Sequence, residues 1–237
     1  MPQRLVFVLH RRAELTREQF QRYWSETHAP LVRSVADVLG ITGYQQVHSV
    51  REDPTRVAGA FDGVAELWFD PSRTSASRDE QAAAGAMLLE DERRFIDLAA
   101  SPIWLADEHV MLDGPREGLR MTMALRRRSG LSRAEFRRHW AEVHAPLALA
   151  HPDVFGLTRY VQMHTPDDAD GFRPAHVRGA PAPFDGLAEV YTRRVDPDPD
   201  LATAARTQMA ADTDSLVDRD ASPACFGRVD VIIDRLA

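Results

Sequence analysis

Apolar and polar positions along this chain change period several times, and each change predicts an element. Arg4 to Leu9 carries Leu5, Phe7 and Leu9 at period two, the pattern of a strand with those three on one face. The period then turns helical: Phe20, Trp24 and His28 recur every fourth position and, at about 100° per residue, project from one side of a helix. Thr16-Arg-Glu-Gln19 has the capping-box order that starts such a helix. Pro30 lacks the N–H a continuing helix would use, which predicts a kink or restart just after His28 and a short helical piece to about Asp37. Ile41 to His48 alternates, with Tyr44, Gln46 and His48 on the more polar face. Gly63 to Phe69 also alternates, placing Ala65, Leu67 and Phe69 on one face and Glu66 with Trp68 on the other. Ala76 to Leu98 reads as a helix with a charged patch from Glu90 to Arg94, and a last strand includes His109 to Leu112.

The whole pattern is then written again. His28-Ala-Pro-Leu31 returns as His144-Ala-Pro-Leu147, and the same offset of 116 positions pairs Phe20 with Phe136, Trp24 with Trp140, Tyr44 with Tyr160 and His48 with His164. Phe61-Asp62-Gly63 meets Phe184-Asp185-Gly186 at an offset of 123, so the second copy carries about seven extra residues in a proline-rich loop. Ser101-Pro102 meets Ser222-Pro223 at 121, closing the repeat. The turn-rich stretch 114–118 suits a linker between domains of residues 1–113 and 119–237. Each half has the order β-α-β-β-α-β, an α+β ferredoxin-like arrangement with helices on one side of an antiparallel sheet. The other sheet face needs cover. The economical arrangement packs the two repeats sheet to sheet, an intrachain version of the barrel that two single repeats would build as a dimer.

Composition narrows the functional classes. A formal charge of −7, from 29 Lys+Arg and 36 Asp+Glu, with no basic stripe interleaved with aromatics, argues against a nucleic-acid partner. No window approaches the roughly 20 apolar residues of a membrane span, and the N-terminal apolar run is too short for a signal peptide. Cys225 stands alone, so no intrachain disulfide can form, and a reducing cytoplasm is the expected location. There is no Gly-rich phosphate loop and no Gly-x-Ser-x-Gly.

Candidate chemistry lies in the repeated polar residues. His28 and His144 sit in line with an apolar stripe, either as a general acid or base near neutrality or as buried histidines bonded to a carbonyl freed at the proline kink. His48 and His164 are further catalytic candidates, with a barrel-lining, hydrogen-bonded histidine as the structural counterpart. Tyr44 and Tyr160 could contact substrate through their hydroxyls, and Trp24, Trp140 and Trp68 could supply an apolar wall. Glu66 and Glu189 share a strand face with aromatics, where each is either an orienting carboxylate or one paired with arginine. Asp62 and Asp185 precede glycine, so turn chemistry competes with substrate contact. A metal set of His28, His48 and Glu66 has no supporting ligand spacing, and no metal is expected.

Leu-Ser/Thr-x-x-x-Phe-x-x-Tyr/His-Trp-x-x-x-His-Ala-Pro-Leu, then Gly-Ile/Leu-x-x-Tyr-x-Gln-x-His and Phe-Asp-Gly-x-Ala-Glu, resembles the EthD family of the dimeric α/β-barrel superfamily over most of both halves. The resemblance implies a ferredoxin-like barrel and a small-molecule enzyme with no tightly bound cofactor. Superfamily relatives include lactone isomerases, polyketide cyclases and dehydratases, cofactor-free monooxygenases and haem-handling enzymes. The family's motif histidine matches His28 and His144, and its strand Tyr and His match Tyr44 with His48 and Tyr160 with His164. The halves differ at Tyr23 and His139, His10 and Arg126, Glu92 and Thr213, Trp68 and Tyr191, and Trp104 and Cys225, with the first keeping more of the pattern. The expected activity is dehydration, cyclisation or isomerisation of a cyclic or aromatic carbonyl compound. A cofactor-independent monooxygenase and a non-catalytic small-molecule binder remain open, as does a homodimer of the tandem chain.

Overall fold

The computed structural model describes residues 3–52 and 61–235. The first repeat runs β1 (Gln3–Leu9), α1 (Arg17–Tyr23), a π-helical turn (Trp24–His28), α2 (Ala29–Ser34), α3 (Ala36–Leu39), β2 (Ile41–Glu52), β3 (Gly63–Phe69), α4 (Arg78–Glu92) and β4 (Ile103–Leu112). The second repeats it with β5 (Arg120–Leu125), α5 (Arg133–His139), a π turn (Trp140–His144), α6 (Ala145–Leu149), α7 (Pro152–Phe155), β6 (Leu157–His164), α8 (Arg173–Arg178), β7 (Gly186–Thr192), α9 (Pro199–Leu216) and β8 (Ala224–Asp234). Both capping boxes form: the Thr16 and Ser132 hydroxyls accept from the backbone N–H of Gln19 and Glu135, whose side chains reach back to the cap N–H groups.

The strands close one antiparallel barrel in the order β1-β3-β2-β8-β5-β7-β6-β4. The two repeats therefore do more than lay one sheet on another. β2 pairs with β8 and β4 with β6, so each half's free edges are taken up by the other half. An open four-stranded sheet leaves two rows of unpaired N–H and C=O groups, and closure satisfies both. Strand parity sorts the side chains: Val6, Val8, Val47, Val64 and Trp104 fill the barrel with Leu187, Met163 and Cys225. Phe7, Leu9, Tyr44 and Ala65 point outward and bury the helix residues Phe20, Trp24 and Val32.

The barrel also holds a charge cluster. Arg120 donates two bonds to the Glu66 carboxylate at 2.7 Å each, and Arg4 bridges Glu66 at 3.1 Å and Glu189 at 3.0 Å. Arg159 adds a 2.6 Å bond to Glu189, and Arg4 a 2.7 Å ion pair to Glu108. Three arginines balance three glutamates, and neighbouring guanidiniums hold the Glu66 and Glu189 carboxyls below the ordinary range despite burial, which pushes the other way. Arg4 and Arg120 occupy equivalent positions, as do Glu66 and Glu189, so the cluster straddles the pseudo-twofold relation and ties the halves together.

Two elements differ from the sequence expectation. The helix expected over 76–98 is shorter, Arg78–Glu92, because Phe95 and Ile96 leave it to pack beneath α1 and bridge back to Arg11. The proline-rich loop of the second copy holds a short helix, α8, that no apolar period announces.

Candidate functional site

The π turn shapes the site. At Trp24–His28 the ladder widens so that Ala29 N–H donates to the Trp24 carbonyl five residues back, directly ahead of Pro30, which has no N–H to give. The expected disruption after His28 is thus a π turn that ends on the histidine. From β2, the Gln46 side chain donates to that same Trp24 carbonyl at 3.0 Å. Gln162 does the same to Trp140 in the second repeat at 2.9 Å. Gly63 lets the indole lie against the sheet, since a Cβ there would meet Trp24 Cζ3 at 2.5 Å and the Val47 carbonyl at 2.8 Å.

His28 is buried against Phe95, and its Nδ1 lies 2.8 Å from the Asp91 carboxylate, which also accepts the Tyr23 hydroxyl at 2.7 Å. A carboxylate only accepts, so Nδ1 carries a proton, and in the neutral form of the ring the lone pair is on Nε2. The second half repeats this with His144 and Asp212 at 2.7 Å, His139 replacing Tyr23. Burial lowers the His144 pKa, with Asp212 opposing it. Asp91 and Asp212 stand at the 121-residue offset that pairs Ser101 with Ser222, so aligning the repeats through α4 and α9 is the signal that finds them.

Tyr44 lines the same cavity as His28. Its hydroxyl accepts from Trp24 Nε1 at 3.0 Å and Gln46 Nε2 at 2.8 Å, so its own proton is uncommitted among the described contacts. Burial pushes the phenol pKa well up, which keeps that proton in place. Tyr160, Trp140 and Gln162 form the same triangle.

His28, Tyr44 and Trp24 line a cavity of about 760 Å³ between the outer face of the first repeat's sheet and α4. Its walls are mainly apolar, including Leu5, Phe7, Leu67 and Leu88. The roof comes from the other half: α8 adds Pro174 and Val177, and Arg178 clasps Glu92 through two 2.7 Å bonds.

Several sequence candidates lie elsewhere. Glu66 and Trp68 are on the barrel side of β3, so Glu66 orients no imidazole, being held by Arg4 and Arg120. Trp68 donates to Glu108 and stacks under the Arg4 guanidinium at 4.5 Å instead of walling the cavity. Glu189 likewise belongs to the charge cluster. Asp62 receives the Arg11 backbone N–H at 2.9 Å and pairs with the Arg11 and Arg17 side chains; Asp185 does this with Arg127 and Arg133. Both fasten the turn before their glycine and neither lines the cavity.

His48 and His164 share the Tyr44 and Tyr160 faces but sit behind the tryptophans, with ring centroids 4.6 Å from Trp24 and 4.9 Å from Trp140. Each imidazole Nε2 donates to its neighbouring glutamine, at 3.0 Å for Gln46 and 2.8 Å for Gln162. Burial lowers His48 to about 4, with Asp230 opposing, and His164 to about 3, with His109 and Arg137 adding to the shift. Neutral and engaged, both serve to orient the glutamines that brace the π turns. The set His28, His48 and Glu66 is split across the sheet, and no group of three or more potential metal ligands occurs among the described residues. No helix among them is long and apolar enough to cross a membrane.

Among solved structures, a monooxygenase candidate from Fusobacterium nucleatum is similar over 97% of this chain and 93% of its own, at 10% identity and a TM-score of 0.50. Another from Lactobacillus acidophilus (97% and 95%, 9% identity, TM-score 0.48) and a mutant chlorite dismutase from Candidatus Nitrospira defluvii (95% and 91%, 8%, 0.46) are also similar. At 10% identity the Fusobacterium nucleatum structure shows a likeness of fold alone, and chemistry does not transfer with it. No curated protein sequence matches the chain significantly. The EthD domain matches residues 12–99 and again 128–220, each span holding one π turn, its histidine and the aspartate that meets it, and on that double match the chain belongs to the EthD family.

Proposed function

We propose that the first-half cavity carries out proton-transfer chemistry, a dehydration, cyclisation or isomerisation of a small cyclic or aromatic carbonyl compound. The observation that carries this reading is the His28–Asp91 pair on the wall of an apolar cavity of about 760 Å³. With Nδ1–H held by Asp91, His28 offers Nε2 to a proton on carbon next to a carbonyl. The imidazolium that forms sits 2.8 Å from a carboxylate, then returns the proton to a departing hydroxyl or to another carbon. Tyr44, its oxygen already accepting two N–H bonds, keeps its proton and donates a hydrogen bond through it to the carbonyl oxygen as charge develops there. The apolar walls keep competing water away and strengthen both interactions.

A panel of cyclic β-hydroxy ketones and phenolic carbonyl compounds, followed by absorbance and with an oxygen electrode, tests the reading. Turnover without oxygen uptake is expected, falling about 10²- to 10⁴-fold in His28→Gln. Asp91→Asn should lower kcat with little change in KM, since it frees the imidazole to take the wrong tautomer without touching substrate. Full turnover in a folded His28→Gln protein refutes the assignment, and stoichiometric oxygen uptake replaces it with an oxygenase.

A further inference from the structure

The charges around the cavity do not balance. Arg78, Arg173 and Arg178 line it together with a single carboxylate, Glu92. Arg178 and Glu92 neutralise each other through two 2.7 Å bonds. Arg78, at the start of α4, and Arg173, at the start of α8, have no hydrogen-bond or ion-pair partner among the described residues. Glu80 lies close to Arg78 in sequence, but its carboxylate caps Ser77. Both guanidiniums are solvent-exposed, and what sets them apart is that they line one apolar cavity. The two come from different repeats. Arg173 belongs to the segment that the seven extra residues of the second copy make room for, so that insertion brings a cation to the first half's cavity.

We propose that the cavity takes an apolar, ring-containing ligand bearing one anionic group, a carboxylate or its like, which Arg78 and Arg173 hold while the apolar body reaches toward His28 and Tyr44. This rests on the cavity's being the working site and adds the ligand's charge to it. The guanidinium fork suits a planar carboxylate in particular. Because one arginine sits on each repeat, the anion bridges roof and wall, and binding holds α8 down over the cavity in addition to the Arg178–Glu92 clasp.

Two fluorescent probes separate charge from apolar fit: 1-anilinonaphthalene-8-sulfonate and its uncharged counterpart N-phenyl-1-naphthylamine. The intact chain should bind the sulfonate more tightly. Arg78→Gln/Arg173→Gln should raise the Kd of the sulfonate about tenfold while moving the neutral probe less than about twofold. Gly85→Trp, at a cavity-lining helix position where an added Cβ meets nothing within 4 Å, should displace both probes and so locate them. Equal affinity for the two probes, equal loss of both in the double variant, sulfonate binding that survives Gly85→Trp, or no binding of either probe overturns the proposal. His28→Gln should retain the probe preference. If it does so while turnover is indifferent to His28, the catalytic reading fails and the ligand class stands; the reverse result has the opposite meaning.

Discussion

Acidification should weaken this fold steeply before its carboxylates begin to titrate, because of His48 and His164. Folded, they titrate near 4 and near 3; unfolded, near the ordinary 6.5. A histidine whose folded pKa is depressed binds its proton more readily in the unfolded chain. The stability it contributes is complete above about pH 6.5 and is lost as pH falls toward the folded value. Each group therefore gives a slope of about 1.4 kcal/mol per pH unit through that window, and the two together about 3. Both side chains are nearly inaccessible, 1% and 4% exposed, so solvent screening does little to reduce this. The other histidines lowered by burial, His10, His109 and His144, act with the same sign. Urea unfolding at half-unit steps from about pH 7.5 to 5 measures the wild-type slope. His48→Gln/His164→Gln should be less stable at neutral pH, having lost the stacking on Trp24 and Trp140, yet show a slope shallower by about 3 kcal/mol per unit. A double variant whose slope matches the wild type refutes the assignment of these imidazoles as buried, neutral braces.

Glu66→Gln strips one charge from between Arg4 and Arg120 and should cost about 3 to 5 kcal/mol, whereas Glu90→Gln, which breaks the exposed pair to Arg93, should cost less than about 1. Denaturant midpoints read both, and similar losses would mean that the central cluster is not the tie between the halves. Gly63→Ala should lose about 1 to 3 kcal/mol and disturb the near-ultraviolet dichroism of Trp24, because the new methyl meets an indole and a backbone carbonyl that cannot both yield. A Gly63→Ala protein as stable as the wild type would show that the close packing of Trp24 on β3 is not needed.

How far the sequence reaches depends on whether a feature is local or made between distant elements. The alternation of Leu5, Phe7 and Leu9, the Thr16 and Ser132 caps and the 116-residue offset are local or self-referential, and they specified the strands, the helix starts and the duplicated β-α-β-β-α-β order. The family motif, read in both copies, also placed the chain in EthD. Strand parity separated Tyr44, Gln46 and His48 on one strand face, and Glu66 with Trp68 on one face of another. It could not say which of those faces look outward to the helices and which look into the barrel, since both faces are buried in a closed sheet. That choice decided the partners: Glu66 went to the charge cluster, and His28 met Asp91 instead. Asp91 lies 63 residues from His28, in a helix whose charged run looks like a solvated face, and only the packing of α4 against the π turn brings the two within 2.8 Å. The roof is the extreme case. α8 has too little apolar period to be recognised and lies 86 residues from Glu92 where Arg178 meets it. Such contacts depend on where closure of the barrel sets one repeat against the other, and pairing of β2 with β8 and β4 with β6 is a property of the whole chain that no single segment encodes.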